Sequence, residues 1–337
     1  MIYLIAGCYW LILWLIAPEG AESSLKLNYP EIPFIDLVRE RFLELLFGVS
    51  EDAAGLVAGL TIGERGAISE ELAGQMKELS LTHLVAVSGA NLAIVMGVVY
   101  LIAARLGLSR NLRFSSALLV MAAYVLLVGP ESSVIRAATM AVFVMVGLWV
   151  GRGTNPLAAL SLAVIFLLAI DTGLAVDIGF GLSTLATAGL LVLAPKLYNL
   201  LKDKMPKLLA IGIAATVSAQ LYTLPIILYL QPSLPVYSVL ANLLVEPLVA
   251  PITILGLIAV LTTWLPPLSS LISFIASLGS NWIVVVASNL APMPFVRLHF
   301  IDGPIGVLLA SSFVVALSLY FSSSKAFLKA AAKTSMA

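Results

Sequence analysis

From residue 84 onward the chain is a succession of apolar runs separated by short loops, and this repetition constrains the fold more than any single motif. The runs occupy 84–105, 114–128, 133–150, 155–170, 174–194, 208–230, 236–263, 268–288 and 304–321, and a further run covers 2–17. A helix needs roughly 17 to 25 apolar residues to cross the hydrocarbon layer of a bilayer. Backbone polar groups in lipid must also be bonded within their own segment, which favours helices. The spacing therefore predicts an all-α fold: a polytopic transmembrane helical bundle of about ten spans, some of them discontinuous helices. Composition agrees, because 61% hydrophobic and 11% charged residues exceed what a soluble core could hide.

Charge and reactive residues exclude several function classes. Eighteen basic and eighteen acidic residues give a formal net charge of zero, so a polyanion would have to be handled locally. The single Cys8 rules out a disulfide within the chain, and His83 and His299 alone cannot build a His-rich or Cys-rich metal site. No cofactor is expected. No glycine-rich phosphate loop precedes a lysine, which argues against direct use of ATP, and the residues around Ser88 fail the Gly-x-Ser-x-Gly elbow. Non-enzymatic function is the expectation.

Four segments can be delimited. Residues 1–17 read as a short retained membrane helix, since a basic n-region is missing and Pro18-Glu19-Gly20 is a poor cleavage site. Residues 18–82 are the sizeable polar portion, extracytoplasmic or interfacial. Within them, Pro33 can start an amphipathic helix with Phe34, Leu37, Val38, Phe42, Leu45 and Leu46 on one face, lying at the interface or packed on the bundle. Ser69 is placed to cap a second helix running to Leu79. Residues 83–322 form the transmembrane domain, and 323–337 a short basic cytoplasmic tail.

Loop charges orient the bundle, because short cytoplasmic loops collect Lys and Arg. Arg105, Arg110 and Arg113 share one loop, Arg152 sits in the next but one, Lys196, Lys202, Lys204 and Lys207 follow two loops later, and Lys325, Lys329 and Lys333 close the chain. All fall on one side if 236–263 crosses once, as a span broken at Glu246, Pro247 and Pro251. Both termini are then cytoplasmic. Beyond the 18–83 segment, Arg297 is the main exception on the opposite side.

Five interruptions mark the apolar runs: "VSGAN" with Ser88 and Asn91, "GPESSVIRAATM" with Glu131 and Arg136, "AVDIGFGLSTLA" with Asp177, "VSAQLYTLP" with Gln220 and Pro225, and "LANLLVEPLVAP" with Asn242 and Glu246. Each has a bland reading. Small residues permit close helix packing, Arg136 and Asp177 could form a buried structural pair, and Gln220 alone suits a bond between helices. Together, five breaks favour a polar interior, because ionisable groups at membrane depth face protein or water.

The order of these motifs resembles a known family. "LTIGERGAISEELAGQMKELSLTHLVAVSGANLAIV", then "PESSVIRAATM" and Arg152, "NPLAALSLAVIFLLAIDTGLAVDIGFGLSTLATAGL", "SAQLYTLPIILY" and "ANLLVEPLVAP" are similar to the competence domain of ComEC-type DNA-import channels, over roughly residues 50 to 260. The resemblance implies a multi-pass channel in the bacterial cytoplasmic membrane that passes one strand of transforming DNA inward. It makes His83, Ser88, Asn91, Glu131, Arg136, Asp177, Gln220, Asn242 and Glu246 candidates for the pore or DNA path, with Phe180, Tyr222 and Tyr229 as stacking platforms. Where the family carries a Ser-Gly-Leu-His pattern, this chain has Ser88, Gly89, Ala90 and Asn91, so no titrating imidazole is available there.

Two other family features find no match. The polar segment is too short and too helical for an OB-fold, and two histidines cannot supply the metal cluster of a β-lactamase-like nuclease domain. The chain is expected to be a membrane core alone, or a truncated or divergent member. Its expected partners are single-stranded DNA and membrane lipids, together with separate DNA-receptor, nuclease and cytoplasmic motor proteins. A secondary transporter for a small solute is the competing reading, since broken helices also serve transporters. An intramembrane hydrolase is a third.

Overall fold

The computed structural model describes residues 2–16, 32–46, 48–64, 66–85, 87–151, 155–301 and 303–334. Arg152 and Pro18-Glu19-Gly20 lie outside these residues. The chain forms α1 (Ile2–Ile16), α2 (Pro33–Leu45), α3 (Glu51–Ile62), α4 (Glu70–Glu78), α5 (Gly89–Arg105), α6 (Arg110–Val128), α7 (Ser132–Trp149), α8 (Pro156–Ile170), α9 (Ile178–Val192), α10 (Ala194–Leu201), α11 (Lys207–Leu230), α12 (Ser238–Leu261), α13 (Pro266–Leu290) and α14 (Gly303–Thr334). Single 3₁₀ turns at Thr82–Leu84 and Thr172–Ala175 precede α5 and α9.

The helical class is as the apolar runs predict. Five helices, α6, α7, α11, α12 and α13, are each long and apolar enough to cross a membrane, and α9 with α10, bent by 43°, makes a sixth if counted as one span. Ile5–Trp14, Gly89–Arg105, Pro156–Ile170 and Gly303–Ser318 are shorter apolar helices. Large apolar side chains such as Leu101, Leu119, Leu208, Leu261 and Leu308 point outward. Such a surface is unfavourable in water and fits lipid, so this is a membrane protein.

The discontinuity falls elsewhere than expected. Glu246, Pro247 and Pro251 lie inside the single helix α12, and Pro225 lies inside α11. A proline removes one backbone donor and disturbs the carbonyls a turn earlier. In a membrane a neighbouring helix can satisfy them. The Trp282 indole of α13 donates to the Leu244 carbonyl at 3.1 Å, next to Leu243, whose carbonyl loses its i+4 donor to Pro247. The actual break is at Leu193, where Pro195 stands in the first turn of α10.

Three cores hold the bundle. The amphipathic α2 turns Val38 and Phe42 into a core with α3, α4, α12 and α13, so it packs on the bundle. Its Phe34 remains exposed and stacks on Trp264, with ring centroids 6.4 Å apart. Helix α4 is capped as expected, Ser69 Oγ accepting the Leu72 N–H at 3.2 Å. A second core joins α5, α6 and α7, and a third joins α1, α8 and α9. One short antiparallel pair departs from the all-helical pattern: β1 (Ser233–Pro235) against β2 (Arg297–His299), with Leu234 opposite Leu298. It ties the loop between α11 and α12 to the loop between α13 and α14. Arg297 is spent there, pairing with Glu78 at 2.8 Å and donating to Ser233 Oγ and the Lys77 carbonyl.

The start of α6 meets the end of α7. Arg110 at the start of α6 donates to the Leu148 and Trp149 carbonyls at the end of α7, and the Trp149 indole donates to Asn111 at 3.1 Å. Helix α14 continues through the segment expected as a tail.

Candidate functional site

Three of the five interruptions prove to be helix starts, and the three starts converge. Ser88 is the N-cap of α5, Glu131 of α7 and Asp177 of α9. "VSGAN" therefore begins a helix instead of breaking one. A serine at this position accepts a first-turn N–H that has no partner within the helix. Ser88 Oγ accepts from the Asn91 N–H at 3.3 Å, and Asp177 from the Phe180 N–H at 2.7 Å. No side chain caps α7.

Close contacts bring these ends together. Ser133 Oγ in the first turn of α7 donates to the Val87 carbonyl at 3.0 Å, just before α5. A methyl group placed on Gly89 would lie 2.8 Å from the Ala137 methyl and 3.2 Å from Arg136 Nη2. Only a glycine lets α5 meet α7 this closely. On the other side, the same construction at Gly179 of α9 comes within 4.0 Å of Ser132 Oγ.

Arg136 occupies the middle of this junction. It is 4% exposed, its Nε donates to Ser183 Oγ of α9 at 3.0 Å, and Nη1 lies 4.0 Å from Met140 Sδ. Among the described residues the ion pairs are Arg39 with Glu64 and Arg297 with Glu78, so the anticipated pair of Arg136 with Asp177 does not form. The physical reason is that Asp177 caps its own helix. Asn91, fully buried, faces protein: its amide donates to the Leu60 carbonyl of α3 at 3.3 Å, and its side-chain oxygen accepts from Ser88 Oγ at 3.2 Å.

The remaining candidates lie apart. Gln220 of α11 donates to Ser238 Oγ at the start of α12, and Asn242 donates to the Ser238 carbonyl at 2.8 Å, forming a second polar contact. Asn242 Oδ1 is buried without a partner. Glu246, one turn on, is exposed on α12, and His83 is exposed in a 3₁₀ turn with Nδ1 3.0 Å from the Ser80 carbonyl. The aromatic residues divide likewise. Phe180 is fully buried, edge-on to Trp10 at 5.5 Å between centroids, and serves packing. The Tyr222 hydroxyl bonds Ser318 at 2.8 Å, and Tyr229 is exposed.

Sequence reasoning did not single out Ser132 or Ser183. Ser132 is the more informative, being 2% exposed with an Oγ that has no partner. Its position four residues before Arg136, on one face of a helix, is the signal that could have found it.

ComE operon protein 3 of Bacillus subtilis (strain 168) is 31% identical over 196 residues, which are 58% of this chain and 25% of that protein. The chain thus spans about a quarter of the length of this curated relative. No solved structure matches. A family model described as competence protein matches residues 60–325, most of the chain and all three converging helix starts, and the chain belongs to that family.

Proposed function

We propose that this chain is the membrane core of a conduit for single-stranded transforming DNA across the bacterial cytoplasmic membrane. The observation that carries the reading is the junction of α5, α7 and α9, where a buried arginine without a carboxylate partner among the described residues sits among helix starts inside an apolar bundle. A lone guanidinium facing lipid costs at least ~2.5 kcal/mol, so such a group marks a polar interior. Family membership supplies the link to competence.

In this reading the four shorter apolar helices also cross, giving about ten crossings, and both termini lie in the cytoplasm. The start of α6 and the end of α7, which bring Arg110 and Trp149 together, would face the cytoplasm. The starts of α5, α7 and α9 would face outward, where the strand arrives. The chain acts without catalysis, and strand capture, degradation and energy come from separate receptor, nuclease and motor proteins. Zero net charge suits a conduit that must release a polyanion as readily as it takes one up.

The test is deletion of the gene in a transformable host that carries it, with labelled DNA scored separately at the cell surface and in the cytoplasm. Surface binding should persist while cytoplasmic arrival falls to background. Normal arrival in a host without a second family member would refute the conduit.

A further inference from the structure

The junction holds more polar capacity than its own contacts use. Arg136 carries five N–H donors, of which the structure engages Nε with Ser183 and brings Nη1 only to a methionine sulfur. Ser132 Oγ, one turn earlier on the same face of α7, has no partner and is 2% exposed. The first turn of α7 has no side-chain cap. Helix starts carry partial positive charge, and their free N–H groups favour an anion. Three starts meet here beside a full positive charge, those of α5 and α9 capped by Ser88 and Asp177 and that of α7 without a side-chain cap. Buried donors without acceptors are costly unless a ligand completes them.

We propose that Ser132 Oγ, Arg136 and the uncapped start of α7 form a phosphodiester site on the strand path, a proposal that rests on the conduit reading. A bridging phosphate offers two unesterified oxygens in a plane that a guanidinium can contact in parallel, with the serine hydroxyl as a third donor. Ser132 and Arg136 are buried at the junction, Ser88, Glu131 and Asp177 at the three helix starts are half-buried, and Gly179 is exposed. Glu131 and Asp177 are carboxylates. They repel a second phosphate and weaken the hold on the first, as a site of transit requires. Contact with sugar-phosphate alone makes the site indifferent to base sequence.

The experiment uses the full chain in lipid nanodiscs, titrated with a fluorescent thymidylate 12-mer and with an abasic deoxyribose-phosphate 12-mer at several salt concentrations. Arg136→Gln should weaken both ligands about tenfold and reduce the slope of log affinity against log salt by about 0.7, the contribution of one phosphate contact on a single strand. Arg136→Lys should keep that slope, and Ser132→Ala should weaken both ligands with the slope unchanged. Melting of each variant separates lost binding from lost fold. Wild-type slope and affinity in a folded Arg136→Gln protein would overturn the site, as would wild-type protein that binds neither ligand. The conduit reading fails separately, by normal DNA arrival in the deletion strain, and such a result would leave measured phosphodiester binding intact.

Discussion

Gly189→Leu should remove most of the folded protein from the membrane. A methyl group at Gly189 of α9 would lie 2.4 Å from the Ser218 carbonyl oxygen and 3.0 Å from Tyr222 Cγ of α11. The first of these is helix backbone, so no rotamer change can relieve it. Ser218 is fully buried. Helices in lipid associate through close packing of small residues more than through any gain from leaving water. Overpacking costs about 1–3 kcal/mol for added methylenes in a tight core, and a leucine here should exceed that range because α9 and α11 must separate. Gly189→Ala should fall between wild type and leucine. Size-exclusion of the detergent-extracted protein measures the folded fraction. A leucine variant of wild-type yield and melting temperature would mean that the two helices do not meet at this glycine.

Asn91→Ala should cost about 2 kcal/mol, within the range for leaving buried polar groups unmet. The substitution strands the Leu60 carbonyl and frees Ser88 Oγ from one of its two bonds at the start of α5. Its effect should couple to Ser88→Ala, since both remove the same reciprocal contact. Denaturant unfolding of the single and double variants measures this. Additive costs would show that cap and amide act independently.

The membrane class and the helix positions were legible because apolar run length and the bilayer impose the same constraint. The polar interruptions were legible as positions but not as shapes. "VSGAN", "GPESS" and "AVDIG" look like breaks within spans, and only the folded chain shows that Ser88, Glu131 and Asp177 stand at the N-cap positions of three separate helices. Prolines misled in the opposite direction. Pro247 and Pro251 stay within α12, and sequence periodicity carries no trace of the α13 indole that bonds the Leu244 carbonyl beside them. Helix α3 went unread since it is buried on nearly every side and shows no amphipathic period. Its Leu60 carbonyl, a backbone group, has no signature at all. The missing Arg136–Asp177 pair has a similar origin: spacing shows which charges exist, while competition from local capping decides which of them meet.

The central claim is that the strand passes the junction of α5, α7 and α9, and a photoreactive amino acid at Ser183 tests it most directly. Labelled DNA would be fed to a transformable host expressing this variant, with Leu119, 71% exposed on α6, as the outward-facing control position. The account predicts a covalent DNA adduct at position 183 during uptake and none at 119. DNA that reaches the cytoplasm with no adduct at 183, or with equal adducts at both positions, would contradict it.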